Sequence, residues 1–392
     1  MTADLFQRRP YFTEEQESFR ASVKEFLRRE VEPHLEEWEE AEDVPRSVWQ
    51  AAGAADQLGL LCPEEYGGSG IGDYRFRSVM IEEFARVGAT SLSGGFGVHA
   101  DIVLPYFAHL ATPEQAKRWL PALASGEYIG AIAMTEPGAG SDLRGIRSTA
   151  VRDADGWVLN GAKTFISNGM HADLVIVVAR TDTSETAGSR AFSLFVVEDS
   201  MPGFSRGRRL KKIGLKAQDT AELVFENVRL SDDHLLGAEG EGLYALMANL
   251  PLERLSIAVA GVASARAALS WTIDYVTTRE AFGQNLAGFQ NTQFEIAEMV
   301  TELEVSQSFV DQAVLRFNAG ELTAVDAAKA KWWATEMNKR VIDRCLQLFG
   351  GYGYMLEYPI ARAYADARVT TIFGGTTEIM KTLIARDVLG VR

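Results

Sequence analysis

The stretch Ile129-Gly130-Ala131-Ile132-Ala133-Met134-Thr135-Glu136-Pro137-Gly138-Ala139-Gly140-Ser141-Asp142 is where the chain changes character. A short apolar run breaks into a Pro/Gly turn, the pattern of a strand leaving a sheet rather than of a helix. Downstream, Asp153-Ala154-Asp155-Gly156 and Asn160-Gly161 read as turns between strands. Residues 174–179, 192–197 and 223–228 are apolar strand candidates rich in Val and Phe. Residues 181–190 are polar and read as a mobile loop. Residues 128–237 are therefore expected to form a β domain, a small barrel.

On either side the pattern is helical. Thr13-Glu14-Glu15-Gln16 has the form of a capping box, and Phe19, Val23, Phe26, Leu27 and Val31 follow at helical spacing. Thr112-Pro113-Glu114-Gln115 repeats the signal with proline at the first helical position. Between them, Tyr66-Gly67-Gly68-Ser69-Gly70-Ile71-Gly72 is rich in glycine. No strand pattern precedes it and no P-loop lysine follows, so it reads as an interhelical loop. Beyond 238 the helix candidates are 240–278, 288–318, 323–349 and 360–389, with Gly350-Gly351 and Gly374-Gly375 as interruptions; four such helices suggest a bundle. The expected fold is a multidomain α+β chain. It has an N-terminal helical domain over 1–127, a central β-barrel over 128–237 and a C-terminal four-helix bundle over 238–392.

Length and composition bound the function. The 392 residues suffice for two or three packed units. A formal net charge of -15 argues against nonspecific binding to nucleic acid or anionic membrane. The one basic run, Arg206-Gly207-Arg208-Arg209-Leu210-Lys211-Lys212, reads as a solvated loop or strand edge. Cys62 and Cys345 are far apart, and the five histidines form no HxxxH or HxH pattern, so neither a disulfide framework nor a metal site is expected. Met1-Thr2-Ala3-Asp4-Leu5 lacks a basic region followed by an apolar core, so no signal peptide is expected. No apolar run nears the ~20 residues that cross a bilayer. A cytoplasmic location is the expectation.

Chemistry is signalled first by Leu252-Glu253-Arg254-Leu255, which leads into Ser256-Ile257-Ala258-Val259-Ala260-Gly261, a stretch without charge. In a helix, Glu253 shares a face with Ile257 and Ala260. Desolvation there raises the proton affinity of a carboxylate, which suits a general base near neutral pH. The structural alternative is an ion-pair network of Glu253 and Arg254 at a helix start or kink set by Pro251. Other segments admit a ligand or plain packing: Met134 to Asp142, whose glycines and hydroxyl suit a polar ring or phosphate; Phe165-Ile166-Ser167-Asn168-Gly169, an aromatic followed by a hydroxyl; Arg279-Glu280-Ala281-Phe282-Gly283-Gln284 with Phe289-Gln290; Gln347-Leu348-Phe349-Gly350-Gly351-Tyr352-Gly353; and Ile372-Phe373-Gly374-Gly375-Thr376-Thr377-Glu378-Ile379.

Taken together and in this order, these segments resemble the acyl-CoA dehydrogenases over nearly the whole chain, and most closely the long-chain subgroup. The resemblance implies one FAD per subunit, an acyl-CoA thioester substrate, electron-transfer flavoprotein as the electron acceptor and a homotetramer built as a dimer of dimers. By position, Met134, Thr135, Gly140 and Ser141 would line the flavin, with Ser141 also at the thioester entrance. Phe165 and Ser167 would stack on and hydrogen-bond to the isoalloxazine. Arg279, Phe282 and Gln290 would reach the adenosine diphosphate, typically of a neighbouring subunit's flavin. Gln347, Gly350, Gly351, Thr376 and Glu378 would complete the FAD contacts. Tyr244, Arg254, Gly374 and Gly375 would face the substrate.

Many members of the family carry the base in an aromatic-Glu-Gly-Thr run. Here that run is Phe373-Gly374-Gly375-Thr376, and Gly374 cannot abstract a proton. The long-chain and isovaleryl subgroups carry it in a Glu-Arg-Leu run on a helix, which Glu253-Arg254-Leu255 matches. The resemblance then implies α,β-dehydrogenation to a trans-2-enoyl-CoA. Glu253 takes the α-proton, the β-hydrogen passes as hydride to flavin N5, and the Gly374 amide with a ribityl hydroxyl polarises the thioester carbonyl. Wording around 215–223 and 372–379 favours straight, medium-to-long chains, with a branched isovaleryl-type substrate as the runner-up. The competing readings are a flavin-dependent oxygenase or oxidase on the same fold and a noncatalytic assembly protein.

Overall fold

The computed structural model describes residues 9–184 and 186–391. The signal-peptide expectation on residues 1–5 and Glu185 of the polar loop lie outside them. Seven helices open the described chain: α1 Glu14–Phe26, α2 Leu35–Ala41, α3 Arg46–Ala54, α4 Tyr74–Arg86, α5 Thr90–Gly97, α6 Leu104–Leu110 and α7 Pro113–Ala124. At α7 both halves of the capping box form. Gln115 N donates to Thr112 Oγ1 at 3.3 Å and Thr112 N to Gln115 Oε1 at 2.9 Å. The glycine-rich 66–72 stretch is the connection into α4, as an interhelical loop should be.

Eight strands follow: β1 Gly130–Ala133, β2 Thr149–Asp153, β3 Gly156–Ser167, β4 Leu174–Arg180, β5 Phe192–Glu198, β6 Phe204–Arg209, β7 Thr220–Leu230 and β8 Leu235–Leu236. They pair in the order β6-β7-β3-β2-β4-β5-β8, with β1 parallel to β4 off that path. No rung joins β6 to β8 among the described residues, so the barrel is open along one seam. Alternate side chains of its strands nevertheless meet in one core. Trp157 of β3 and Phe195 of β5, not neighbours in the sheet, lie with ring centroids 5.2 Å apart. The other face of β4 and β5 (Leu174, Ile176, Val178, Leu194, Val196) packs on α6 and α7. The basic run ends the edge strand β6.

One turn expectation is corrected. Asn160-Gly161 does not separate two strands; it lies inside β3, at a register shift against β7. A Cβ on Gly161 would sit 2.2 Å from Ser148 Oγ, so the glycine serves close backbone approach at a bulge.

The C-terminal part is built from α8 Gly242–Thr278, α9 Gln290–Asn318 and α10 Ala324–Phe349, followed by α11 Pro359–Thr370 and α12 Thr377–Leu389. The last sequence candidate, 360–389, is thus two helices, parted at Gly374-Gly375. Pro251 lies within α8 rather than at its start. Leu255, Val262 and Leu269 of α8 meet Met337, Val341 and Cys345 of α10 in the bundle core. Helix α8 is long and apolar enough, by length and composition, to cross a membrane, which the sequence reading had not expected. Here 61% of its most apolar window is buried inside the protein, and a helix at the centre of a bundle is apolar all round for that reason.

Candidate functional site

Glu253 lies in the first third of the apolar helix α8 and is only 3% exposed. Its carboxylate accepts a hydrogen bond from Tyr106 Oη of α6 at 3.1 Å. Burial pushes its pKa up to about 7, with the Tyr106 hydroxyl and the neighbouring Arg254 pulling the other way. That places the carboxyl in the range where a general base works near neutral pH. Burial and the Glu253 charge also hold the Tyr106 hydroxyl well above its ordinary range, so it stays a donor.

Arg254 turns to the segment between α11 and α12. Its Nε donates to Gly374 O at 3.4 Å. Gly374 and Gly375 have φ of +62° and +98°, which glycine adopts without strain. A Cβ on Gly374 would lie 2.4 Å from Ile257 Cδ1, one helical turn past Glu253. The turn therefore packs directly on the part of α8 that carries the carboxylate. Thr376 caps α12, its hydroxyl accepting from Ile379 N at 3.3 Å, and Glu378 is exposed in the first turn.

A second group sits on the barrel. Phe165 is 68% exposed at φ +59°, beside the half-buried Ser167. The loop that β1 runs into is tied to the same strand: Thr164 N donates to Thr135 O at 2.9 Å, and Lys163 Nζ to Met134 O at 3.1 Å. Lys163 also donates to Glu136 Oε1 at 2.8 Å, and Glu136 accepts from Arg147 N, Ser148 N and Ser148 Oγ. Burial alone would raise the Glu136 carboxyl, but Lys163, Ser148 and these amides outweigh it and hold the pKa below its ordinary value. A buried ion pair thus shapes the loop, while its outer part, Gly138, Gly140 and Ser141, stays exposed.

The third group lies elsewhere on the bundle. Arg279, Gln347, Gly350 and Gly351 line one open pocket of about 560 Å³ together with Tyr275, Phe349 and Tyr352. Arg279 stacks over the Tyr352 ring at 5.4 Å. Phe282 is 96% exposed at φ +51°, and Gln290 starts α9 on the surface. Within one chain the anticipated cofactor residues are therefore not one site: the pocket contains neither Phe165 nor Glu253. The residues present fit a flavin dinucleotide. Exposed aromatics held in left-handed backbone offer faces for planar rings, and the Arg279 guanidinium beside glycines with open space over them suits a diphosphate.

Of the substrate candidates, Arg254 and the Gly374-Gly375 turn come together beside the part of α8 that carries Glu253, whereas Tyr244, two turns back on α8, is 47% exposed. Three residues of the site carried no sequence signal strong enough to select them. Tyr106 is an unremarkable aromatic in a helix, and Lys163 one of several barrel lysines. Lys331 of α10, whose Nζ donates to Gly375 O at 2.7 Å, is one of two lysines, with Lys329, in the stretch Ala327 to Ala334. Burial, then Arg254, pulls its pKa down to about 8. Among the described residues no cluster of three or more His, Cys, Asp or Glu could hold a metal ion, and Cys62 and Cys345 are free and buried.

Comparison with known proteins finds one family along the chain. The acyl-CoA dehydrogenase N-terminal domain matches residues 13–127, the middle domain 131–228 and the C-terminal domain 240–389. The long-chain specific acyl-CoA dehydrogenase of Sus scrofa mitochondria is 48% identical over 381 residues, covering 97% of this chain and 88% of that protein. The isovaleryl-CoA dehydrogenase of Solanum tuberosum mitochondria is 37% identical over 379 residues, covering 96% and 91%. The crystal structure of an acyl-CoA dehydrogenase from Geobacillus kaustophilus superposes with a TM-score of 0.94 at 47% identity, covering 97% of this chain and 100% of that one.

Proposed function

Since this chain belongs to the acyl-CoA dehydrogenase family, we propose that Glu253 is the base that takes the α-proton of a straight, medium-to-long acyl-CoA, whose β-hydrogen leaves as hydride to give a trans-2-enoyl-CoA. The observation that carries this reading is the buried Glu253 carboxyl, poised at about 7 on the helix whose Ile257 packs against the Gly374-Gly375 turn. FAD, when bound, supplies the hydride acceptor. The protein's own part is positional. Tyr106 orients the carboxylate, Arg254 keeps a cation beside the site, and the apolar face of α8 excludes water. The barrel residues Met134, Thr135, Phe165 and Ser167 would hold the isoalloxazine. Arg279, Phe282, Gln290, Gln347, Gly350 and Gly351 would hold the adenosine diphosphate end, in a tetramer where a neighbouring subunit brings the two groups together. Electron-transfer flavoprotein would reoxidise the enzyme.

The chain-length reading is supported by the higher identity to a long-chain relative, 48% against 37% for an isovaleryl-type one. A panel of acyl-CoAs of rising length, with branched members, tests it by bleaching of the flavin absorbance. The fastest bleaching is expected with straight medium-to-long chains. Isovaleryl-CoA as best substrate would reverse the assignment. Rapid air reoxidation with no response to any acyl-CoA would point to an oxidase or oxygenase.

The pH profile is a separate test. A base must be ionised to act, so kcat/KM should rise as pH passes about 7. Tyr106 donates to the carboxylate and so favours the ionised form. In Tyr106→Phe the rising limb should move to higher pH while the alkaline plateau keeps most of its height. A limb that stays in place would remove Tyr106 from the control of the base.

A further inference from the structure

The turn Gly374-Gly375-Thr376 presents three amide N–H groups that make no hydrogen bond among the described residues. Its two glycine carbonyls, by contrast, are both taken by cations of the bundle, Gly374 O by Arg254 and Gly375 O by Lys331. Lys331 is 0% exposed and makes no ion pair among the described residues; the bond to Gly375 is the one hydrogen bond its ammonium makes there. Burying an ammonium without a carboxylate is costly, so this contact is the reason the charge can stay. A trans peptide holds its C=O and N–H antiparallel. Gripping the carbonyl of Gly375 therefore aims the amide of Thr376 the opposite way, and gripping that of Gly374 does the same for the amide of Gly375. A cation on the carbonyl also polarises the peptide and strengthens its N–H as a donor. The turn so held packs against Ile257, on the helix that carries Glu253.

We propose that Lys331 is a positioning residue of the reaction: by holding the Gly375 carbonyl it fixes the Gly374–Thr376 turn with its open amides toward the thioester carbonyl of the substrate that Glu253 deprotonates. The inference rests on the dehydrogenase reading above. Charge that develops on the thioester oxygen as the α-proton leaves is then met by donors already in place, which is where preorganisation acts on rate rather than on binding.

The test compares Lys331→Met and Lys331→Arg with wild type as flavin-loaded, full-length enzyme. Single-turnover flavin reduction by a straight-chain acyl-CoA gives the rate, titration gives the Kd, and amide hydrogen exchange of the 371–377 peptide gives the order of the turn. Methionine fits the buried slot without the charge, so the fold should persist. The expected result is reduction roughly ten- to hundredfold slower in Lys331→Met with Kd within about twofold of wild type. Faster exchange in the 371–377 peptide and partial recovery of rate in Lys331→Arg, which keeps the cation, complete the expectation. An unchanged rate in Lys331→Met, unchanged exchange, or equally slow Met and Arg variants would overturn it. A wild-type enzyme that no acyl-CoA bleaches overturns the functional reading and this inference together. A bleaching wild type beside an unimpaired Lys331→Met overturns this inference alone.

Discussion

Glu253→Gln should retain its flavin and lose about 10²- to 10⁴-fold in the rate of flavin reduction by acyl-CoA. Glutamine keeps the shape of the side chain and can still accept from Tyr106, but it cannot take a proton. The side chain is buried, so neither solvent nor a surface carboxylate can replace it. Substrate affinity should hold or improve, because a buried group of raised pKa is exchanged for a neutral one. Rapid mixing with acyl-CoA measures the rate, and the flavin-to-protein absorbance ratio measures cofactor retention. Turnover within a factor of a few of wild type would place the base elsewhere. Moving the carboxylate to Gly374 meets a specific obstacle. The backbone there has φ +62°, and a Cβ would lie 2.4 Å from Ile257 Cδ1. Gly374→Glu in the Glu253→Gln background should therefore recover activity only with Ile257 trimmed to alanine.

Lys163→Met should destabilise the protein by about 3 kcal/mol, since removing one partner of a buried pair strands the other. Lys163 is fully buried and Glu136 nearly so. Without the ammonium, the Glu136 carboxylate keeps three donors, from Arg147 and Ser148, which places the cost at the low end for a broken buried pair. The Met134 carbonyl also loses its donor, so the loop that would line the flavin loosens and FAD affinity should fall with stability. Denaturant unfolding followed by tryptophan fluorescence measures the first, and flavin fluorescence on dilution the second. Adding Glu136→Gln should restore a good part of the loss, because it removes the stranded charge. Failure of the double variant to recover would show that the contact to Met134, not the ion pair, carries the energy.

The legible part of this protein was its periodicity. Residues 192–197 read as a strand from apolar β-formers and form β5; Thr112-Pro113-Glu114-Gln115 read as a helix start and caps α7. Helix boundaries at 278, 318 and 349 follow from where the apolar pattern stops. The readings that failed are those where tertiary contact overrode local pattern. Asn160-Gly161 looks like a turn by its residues, yet close approach to Ser148 makes it a bulge. Pro251 read as a helix start or kink, yet the 240–278 candidate runs through it as one helix, Gly242–Thr278.

Glu253 could be singled out from the chain because one signal that marks it is local, a carboxylate at a fixed offset from a run without charge, and the other is the family resemblance, which finds Gly374 where many members carry an acid. Its partners could not. Tyr106 is 147 positions away, Gly374 is bonded by Arg254 across 120, and Lys331 reaches Gly375 across 44. Periodicity reports which face of an element is apolar. It does not report which face of another element will meet it. Sequence thus determined the elements, their order and the acid on which the proposed reaction rests. The packing of α6, α8, α10 and the Gly374-Gly375 turn decided how strongly that acid holds its proton, because desolvation and cross-element hydrogen bonds exist only once those surfaces have come together.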